Sequence, residues 1–593
     1  MEKGSDAVAS FLASRGVTVV FGIIGGANSR IYNSFMEKGF SIYNVHNEQS
    51  AVLAAGAYWR ASGKLAAVTI TSGGGVTNTI TGLVSLWADS TPTIIISGQE
   101  TTESLKTYKN RRMYGIQGFD VVSMVKNFTK YSKLVDTIDT LRDDLNESWA
   151  SSLNGRKGPV WLDIPSDIQS KTLEVLPWMA FIPHITQSVD VDKVEALLKT
   201  SQRPVILAGH GIKLSDSEKD FKEMITRIKI PVLVSWSAID ILSSDHPLYF
   251  GSPGIYGKRS SNFILQKSDL VIVLGSRLAI PQTGYDMKEY ARHATIVMID
   301  IDETEFRDFA HVHILSDCGE MIRAMDNIFL ERSDWLKECE SIRKEFPLVE
   351  PAHEDEEFPN SYKIIDKISD FITPDHVIVT DMGTALLSGH QSIRLKDGTR
   401  MFTSYGLGEM GYGLPAAIGA CISRNGSEVL CLNCDGGMMM NIQELQTIIY
   451  YKLRVKIVIF NNDGYLMMKH TQKLLFNGKL LASNNDTGIS LPDYMNVAEA
   501  FGYEKFRIKS WDDFRLNFPT FMAHDGPAIC EVFMPPEQEF IPKVKGVVMA
   551  DGSIFAPPLE EMSPLLSLND MKNIMGNCIS SKSSLIERTS HGQ

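Results

Sequence analysis

The chain has 593 residues, more than the roughly 250–300 at which a single hydrophobic core usually divides, so several domains are expected. Its formal net charge of −13 argues against a nucleic acid or an anionic membrane surface as the main binding partner. No window contains the ~18 uninterrupted apolar residues of a membrane span, and seven widely spaced cysteines do not indicate a disulfide framework.

The N-terminal sequence MEKGSDAVASFLASRG predicts an amphipathic helix, because its apolar residues recur at helical spacing. It lacks the basic segment and following apolar core of an export signal. We therefore expect a cytoplasmic protein.

Short runs rich in Val, Ile and Leu alternate with longer helical patterns along most of the chain. This alternation is typical of parallel β-sheets that are covered by helices on both faces. It occurs in three blocks, which predicts three doubly wound α/β domains. The runs are VTVVFGI, LAAVTIT, PTIIISG and GPVWLDIP in the first block, RPVILAG, IPVLVSW, DLVIVLG and ATIVMIDID in the second, and HVIVTD, EVLCLNCD, VKIVIFNND and PAICEVF in the third.

Two segments between the blocks, LEVLPWMAFIPHITQS and KEFPLVEPAHEDEEFPN, contain several prolines and have the composition of linkers. They place the predicted domains at residues 1–180, 188–345 and 355–540, followed by a C-terminal segment at 541–593. About the last 15 residues are polar and aperiodic, so we expect a disordered tail. The first and third blocks are interpreted as distant duplicates, although no repeat can be aligned.

In the third block an acid and an amide each follow a predicted strand. Asp435 begins a DGG turn after SEVLCLNC, and Asn462 lies in an NNDG turn after VKIVIF. Because α/β proteins bind ligands beyond the carboxyl ends of their strands, the two side chains are expected to converge. Carboxylate, amide and carbonyl oxygens suit Mg²⁺, and glycines let an anion approach the backbone. The same spacing also fits Asp and Asn as ordinary helix and turn caps.

In the first block, HNEQSAVLAAGAYWRASGK places Glu48 at the start of an Ala-rich apolar helix. The acid has two interpretations: a helix cap, or a buried carboxylate that protonates or hydrogen-bonds a ring nitrogen. Downstream, TSGGGVTN is a glycine-rich turn that opens another helix, and GIQGFD supplies Gln117.

These motifs resemble those of the thiamine diphosphate-dependent acetohydroxyacid (acetolactate) synthases. The similarity is carried in the expected order by HNEQSAVLAAGAYWRASGKLAAVTITSGGGVTNTITGL, RKGPVWLDIPSDIQ, GLGEMGYGLPAAIGA and CDGGMMMNIQELQTIIYYKLRVKIVIFNNDGYLMM. It extends from about residue 5 to about residue 565. The resemblance implies a pyrimidine-binding first domain, a central domain and a diphosphate-binding third domain. It also implies a homodimer or homotetramer with active sites between subunits, in which Glu48 of one subunit faces Asp435 and Asn462 of another.

The resemblance also implies roles for individual residues. Glu48 would bond the pyrimidine ring of the cofactor, and Gln117 would be a second active-site residue. Asp435, Asn462 and the carbonyl of Gly464 would bind Mg²⁺, and Met410 would hold the cofactor bent. The full cofactor-binding set that the resemblance implies is Gly408, Met410, Asp435, Gly436, Gly437, Asn462, Gly464 and Leu466.

Five further residues are candidates for the substrate pocket: Gly26, Ile116, Arg277, His470 and Thr471. Arg277 corresponds to a family arginine near the carboxylate of the acceptor. Thr471 stands where the synthases carry a tryptophan, and loss of the indole predicts a larger or different acceptor. The sequence around it, TQKLLFNGKLLASNNDTGIS, is closer to synthase-like proteins of bacterial surface-polysaccharide gene clusters, which points to a keto-sugar.

The expected reaction is decarboxylation of a 2-oxo acid, pyruvate, and transfer of its acetyl unit to a carbonyl acceptor. Two alternatives stay open: a 2-oxo acid decarboxylase or C–C lyase, and a non-catalytic scaffold that retains the fold. Departures from the family pattern are Cys434 in place of glycine, Asn47 in place of histidine and Ser166 in place of lysine.

The sequence leaves the flavin of true synthases as an open question. LAGHGI, GSPGIYG and GSRL keep glycine-rich and arginine positions of the central domain, whereas LAIP replaces the family's FDDR. FAD binding and its absence are therefore both consistent with the sequence.

Overall fold

The computed structural model describes residues 1–182, 189–548, 554–586 and 588. The chain forms two compact units. The described residues of the first unit are 1–182, 375–385 and 400–533, and those of the second are 189–374, 386–399 and 534–588 without the gaps named above. The first block and the sheet strands of the third block therefore lie in one unit. Residues 355–374, 386–399 and 534–540, predicted for the third domain, belong to the unit of the central block, and the predicted domain boundaries stay predictions.

The first block forms a six-stranded parallel sheet with the order β3-β2-β4-β5-β7-β6, flanked by helices. Its elements are β1 (Glu2–Lys3), α1 (Gly4–Ser14), β2 (Val19–Gly22), α2 (Ser29–Glu37), β3 (Ser41–Asn44), α3 (Glu48–Ser62), β4 (Ala67–Ile70), α4 (Gly74–Asn78), α5 (Ile80–Ala88), β5 (Thr93–Gln99), α6 (Thr102–Thr107), α7 (Val121–Val125), β6 (Tyr131–Leu134), α8 (Leu141–Leu153), β7 (Pro159–Pro165), α9 (Ser166–Ser170) and β8 (Thr172–Leu173).

The central block forms a five-stranded parallel sheet with the order β10-β9-β11-β12-β13. Its elements are α10 (Val191–Thr200), β9 (Pro204–Ala208), α11 (Gly211–Leu214), α12 (Glu218–Ile228), β10 (Val232–Val234), α13 (Arg259–Lys267), β11 (Leu270–Leu274), α14 (Ile280–Thr283), β12 (Thr295–Asp300), β13 (Val312–Leu315), α15 (Cys318–Ala324) and α16 (Ser333–Glu345).

The third block forms a second six-stranded parallel sheet, with the order β15-β14-β16-β17-β19-β18. Its elements are α17 (Ser361–Ile368), β14 (Val377–Thr380), α18 (Thr384–Ser392), β15 (Arg400–Phe402), α19 (Gly413–Ser423), β16 (Val429–Cys434), α20 (Asp435–Met438), α21 (Glu444–Tyr450), β17 (Val455–Asn461), α22 (Leu466–Leu475), α23 (Tyr494–Phe501), β18 (Glu504–Ile508), α24 (Trp511–Ala523) and β19 (Ala528–Phe533).

The C-terminal segment contains β20 (Lys543–Val544), β21 (Val547–Val548), β22 (Ile554–Phe555), β23 (Met562–Ser563) and α25 (Leu568–Met575). It contacts the central block within the second unit: Glu560 is fully buried and pairs with Arg292. Within the tail that was predicted to be disordered, Ser581–Leu585 forms a short 3₁₀ helix, and Lys582 pairs with Asp286. Residues 587 and 589–593 lie outside the described residues.

The three parallel sheets with flanking helices confirm the predicted α/β fold class. The two six-stranded sheets share one topology: numbered along each block, both read 2-1-3-4-6-5. This agreement supports the interpretation of the first and third blocks as duplicates.

Helices α3 and α19, each of which follows the second strand of its sheet, pack against each other. They approach so closely that a Cβ on Gly419 would overlap the carbonyl of Ala54. The Ala-rich sequence of α3 is therefore needed for helix packing, and residues 51–58 are buried. Among the helices that the structure describes, none is both long and apolar enough to cross a membrane.

Candidate active site

Asp435 lies at the junction of β16 and α20 and is fully buried. Its carboxylate accepts three backbone hydrogen bonds: from Gly436 to Oδ1 (2.7 Å), and from Asn462 (2.9 Å) and Gly464 (3.0 Å) to Oδ2. Burial raises the pKa of Asp435 to about 6, and the backbone donors oppose that shift. The structure thus joins the turns after β16 and β17 through one carboxylate.

Asn462 is buried beside Asp435, and among the described residues only one of its two polar side-chain atoms has a hydrogen-bond partner. Nδ2 donates to Thr384 Oγ1 at 3.2 Å, whereas the buried Oδ1 accepts no hydrogen bond from the described residues. A buried amide oxygen without a donor is costly unless a ligand satisfies it. Such an oxygen next to a carboxylate fits a cation that prefers oxygen ligands, as Mg²⁺ does.

The turn geometry around this site requires glycine. Gly464 has φ +119°, and a Cβ there would overlap the carbonyl of Ser483. The described residues contain no cluster of three His, Cys, Asp or Glu side chains suited to a metal. A cation held by Asp435, Asn462 and a backbone carbonyl would therefore need further oxygens from water or from a phosphate ligand.

Met410 lies against the turn that follows Asp435. A Cβ on Gly436 would be 3.4 Å from Met410 Cε and would overlap the ring of Tyr465, so this position tolerates no side chain. A Cβ on Gly437 would lie 2.9 Å from Asn433 Oδ1. Gly408, with φ +75°, precedes Met410 in the same loop. The structure therefore brings Met410, Asp435, Gly436, Gly437, Asn462 and Gly464 together.

Asp381 is a buried acid in the same region that was not among the sequence-predicted site residues. It follows β14 and accepts backbone hydrogen bonds from Met382 (2.7 Å), Gly411 (3.1 Å) and Gly413 (2.9 Å). Burial raises its pKa to about 6. Asp381 thus fixes the loop that carries Met410. The signal was present in HVIVTD, where an acid ends a buried strand, as in EVLCLNCD.

Lys469 on α22 is a second residue that the sequence analysis did not select. Its side chain is 1% exposed, and Nζ donates to the carbonyl of Asn462 at 3.0 Å. Its positive charge lies close enough to oppose the burial-induced rise in the pKa of Asp435. Lys469 therefore stabilises the turn that contains two predicted metal ligands.

Cys434 Sγ accepts a hydrogen bond from the backbone N–H of Ala385 at 3.3 Å. The thiol thus packs against the turn after β14, and burial raises its pKa. The described cysteines form no disulfide, and all are buried. The structure accommodates Cys434 by packing, and the nearby carboxylates of Asp435 and Asp381 add to the rise in its pKa.

Glu48 is the first residue of α3 and is buried. The helix cap is Asn47, whose side chain accepts from the backbone of Gln49 at 2.9 Å, so Glu48 is not needed for that role. Glu48 Oε2 accepts from Asn78 Nδ2 at 2.9 Å, and Oε1 would lie 3.2 Å from a Cβ on Gly75. The carboxylate therefore lies against the glycine-rich turn after β4.

Gln117 lies against the other end of the same glycine-rich turn. A Cβ on Gly73, which has φ +71°, would be 2.9 Å from Gln117 Cβ. The side chain of Gln117 is exposed, and that of Ile116 is 87% exposed. Glu48 and Gln117, separated by 69 positions in sequence, thus flank one turn.

The remaining predicted site residues are Gly26, Leu466, His470, Thr471 and Arg277. Gly26 is exposed, and a Cβ there would meet open space. Leu466 is buried at the start of α22, where His470 is partly buried and Thr471 is exposed. Arg277 belongs to the second unit, where its carbonyl accepts from Arg307 Nε at 2.7 Å. The predicted arrangement in which Glu48 of one subunit faces Asp435 of another stays a prediction.

The glycine-rich turns of the central block fit tightly against one another. A Cβ on Gly209 would overlap the carbonyl of Gly275, and one on Gly211 would lie 2.7 Å from Gly275 Cα. Chain packing therefore explains these glycines without a bound flavin, and the motif alone does not indicate FAD.

Three domain families of thiamine pyrophosphate enzymes match the chain in the expected order. The N-terminal TPP binding domain matches residues 2–124, the central domain 191–325 and the C-terminal TPP binding domain 381–532. The acetolactate synthase isozyme 2 large subunit of Escherichia coli K12 is 31% identical over 537 residues, covering 89% of this chain and 95% of that protein. The chain belongs to the thiamine pyrophosphate enzymes of the acetolactate synthase type.

Other relatives agree with this family. The isozyme 1 large subunit of Escherichia coli K12 is 29% identical over 91% of this chain and 95% of its own length. The acetolactate synthase large subunit of Lactococcus lactis is 28% identical over 93% of this chain and 96% of its own length. The N-terminal match contains Glu48 and Gln117, and the C-terminal match begins at Asp381 and contains Asp435 and Asn462.

Proposed function

We propose that this thiamine diphosphate-dependent enzyme decarboxylates a 2-oxo acid, pyruvate, and joins the remaining two-carbon unit to a second carbonyl compound. The proposal depends mainly on one observation. Asn462 Oδ1 is buried beside the carboxylate of Asp435 and accepts no hydrogen bond from the described residues. Thiamine diphosphate, when bound, supplies the electron sink for decarboxylation and the nucleophilic carbon for the new bond. The chain's own residues bind and orient it and control proton transfer.

Asp435, Asn462 and the carbonyl of Gly464 would hold Mg²⁺, which in turn would hold the diphosphate. The three backbone N–H groups on Asp435 keep its oxygens in place before the cation arrives. Gly436 and Gly437 keep the backbone open to phosphate oxygens at the carboxyl end of β16. Met410 would support the cofactor from the loop that Asp381 fixes.

Glu48 would hold or release a proton at the pyrimidine ring of the cofactor. Asn78 bonds only one of its oxygens, Oε2. The glycines of the turn place no side chain in front of the carboxylate. Gln117, on the opposite side of Gly73, would act on the substrate or the cofactor from a second direction.

We propose a keto-sugar as the acceptor, with a second 2-oxo acid as the alternative. The support is Thr471, an exposed and small residue on α22 where synthases carry tryptophan. We also propose that His470 on the same helix, Ile116 and Gly26 contact the substrate. A role for Arg277 of the central block toward the acceptor is a separate proposal. Such an acceptor would group the chain with the synthase-like proteins of surface-polysaccharide gene clusters.

We further propose a cytoplasmic homodimer or homotetramer in which Glu48 of one subunit acts with Asp435 of another. FAD stays a separate proposal, since packing explains the glycines of the central block. An absorbance spectrum of the purified protein between 350 and 500 nm, roughly the range of flavin absorption, tests it.

The test of the proposed function is product analysis with Mg²⁺ and thiamine diphosphate. The enzyme is incubated with pyruvate alone and with pyruvate plus a keto-sugar, and products are identified by mass spectrometry. We expect an acetyl-extended sugar in the second reaction. Acetaldehyde as the sole product in both reactions would instead assign a decarboxylase. No turnover with thiamine diphosphate bound would favour a scaffold.

A further inference from the structure

Gln117 lies at the tip of a small closed loop, residues 114–118. Two backbone hydrogen bonds close the loop: Tyr114 N–H to the carbonyl of Gly118 (2.7 Å) and Gly118 N–H to the carbonyl of Tyr114 (3.1 Å). The backbone N–H groups of Ile116 and Gln117 at the tip both donate to one oxygen of Glu100, at 3.1 and 3.0 Å. The loop therefore encloses the carboxylate of Glu100, a residue that is not part of the loop.

The two glycines of the loop leave room for that carboxylate. A Cβ on Gly115 would lie 2.7 Å from Glu100 Oε2, and one on Gly118 would lie 2.6 Å from Glu100 Cγ. Gly115 also has φ +67°, a conformation that favours glycine. The sequence YGIQG is thus adapted to the side chain of Glu100 at both ends of the tip.

The carboxylate is itself anchored to the first sheet. Glu100 directly follows β5, and its backbone N–H donates to Gln99 Oε1 at 2.9 Å. Gln99 Nε2 donates to Asp163 Oδ2 on β7 (2.8 Å) and to the carbonyl of Phe119 just beyond the loop (3.0 Å). Hydrogen bonds of Gln99 and Glu100 therefore connect β5 and β7 to the loop tip.

We propose that Glu100 is the positioning residue for Gln117. Its carboxylate binds the backbone of the loop tip and so fixes the position in which Gln117 Cβ lies against Gly73. This inference rests on the proposed function for the catalytic role of Gln117, but the positioning itself does not. A displaced tip would move Gln117 relative to Glu48, whose carboxylate lies against the same glycine-rich turn. Misplacement by about 1 Å can cost about a hundredfold in rate.

The first test is amide hydrogen exchange of the full-length enzyme with Mg²⁺ and thiamine diphosphate. We expect Glu100→Ala to raise exchange at residues 116 and 117 by about tenfold or more, because both amides lose their acceptor. Glu100→Gln retains an acceptor oxygen and should stay close to wild type. Glu103→Ala, which removes an exposed acid on α6, is the matched control. Unchanged exchange in Glu100→Ala would overturn the positioning role.

The second test is a double-mutant cycle on kcat with Glu100→Ala and Gln117→Ala. If Glu100 acts through Gln117, the double variant is no slower than Gln117→Ala alone, whereas Glu100→Ala alone loses about tenfold or more. Full additivity of the two losses would overturn the proposal. Full activity of Gln117→Ala together with raised exchange in Glu100→Ala would support positioning by Glu100 and contradict the catalytic role proposed for Gln117.

Discussion

The two six-stranded sheets have one strand order but carry different chemistry in the turn after their third strand. After β4 the turn is Gly73–Gly75, with no side chain, and it receives the carboxylate of Glu48 from the neighbouring α3. After β16 the turn carries its own acid, Asp435, held by backbone N–H groups. Under the proposed function, the shared strand order would place a ligand at both turns, and the turn residues would determine which part of the ligand is held.

The two acids are also held in different ways. Asp435 has three backbone donors, which are fixed by the fold and leave little freedom to either oxygen. Glu48 accepts a side-chain hydrogen bond from Asn78 and, among the residues that the structure describes, holds no backbone turn in place, so it could exchange a proton without breaking a turn. A backbone-held acid suits a permanent cation, whereas a side-chain-held acid suits general acid–base chemistry.

The largest expected effect comes from removing the backbone-held acid. Asp435→Ala should weaken Mg²⁺-dependent thiamine diphosphate binding by at least about 100-fold and abolish turnover, because the proposed metal ligand is lost and three buried N–H groups lose their acceptor. Titration calorimetry with Mg²⁺ present measures the affinity. The control is Asn496→Ala, which removes an exposed side-chain amide on α23 of the same block. Near-normal affinity in Asp435→Ala would contradict the assignment.

Glu48→Gln should separate binding from catalysis. The amide oxygen can still accept from Asn78, so the fold and cofactor affinity should be kept, while kcat falls by about 10²–10⁴-fold because no proton can be exchanged. Steady-state kinetics and calorimetry on the same preparation measure both quantities. Unchanged turnover would show that Glu48 is not the proton-transfer group.

A smaller pair of effects compares the two turns directly. Gly73→Ala places a Cβ 2.9 Å from Gln117 Cβ, and Gly437→Ala places one 2.9 Å from Asn433 Oδ1. We expect about a tenfold loss in each variant, in kcat for Gly73→Ala and in thiamine diphosphate affinity for Gly437→Ala. If both variants lose the same parameter, the division of roles between the sheets is wrong.

Most of the buried strands were predictable from the sequence, including the edge strand β10, whereas the partly exposed edge strands β6 and β18 were not. Each quoted apolar run contains an observed strand, because buried parallel strands need apolar side chains on both faces. β6 and β18, with the sequences YSKL and EKFRI, lie at the edges of their sheets and are partly exposed, so they lack that signal.

The candidate site was predictable where side chains carry the chemistry. Asp435, Asn462 and Glu48 could be selected from an acid or amide next to a strand or an apolar helix. Asp381 and Glu100 were missed because most of their partners are backbone N–H groups 16 to 32 positions away. HVIVTD does show an acid at a strand end, but no sequence feature identifies the backbone donors that the acid binds. Such contacts become visible only when the chain path is known.

The last prediction concerns stability, and we expect the substitution to have the smallest effect on activity. Asp163 on β7 is buried and accepts from Ser97 Oγ (2.5 Å) and Gln99 Nε2 (2.8 Å). Burial raises its pKa to about 7 from an ordinary 3.8. The folded state therefore binds this proton more tightly than the unfolded state does. The stabilising contribution is complete below the unfolded pKa and is lost as pH rises through the folded pKa.

Asp163→Asn should remove this dependence. Between pH 4 and pH 8 the free energy of unfolding of the wild type should fall, relative to that of the variant, by on the order of 3 kcal/mol. Urea unfolding at several pH values measures the free energy of unfolding of both proteins. Subtracting the value for the variant from that for the wild type cancels the titration of Asp381 and Asp435, which both proteins share. Parallel curves would mean that Asp163 stays charged in the folded protein, and that its two hydrogen bonds outweigh its burial.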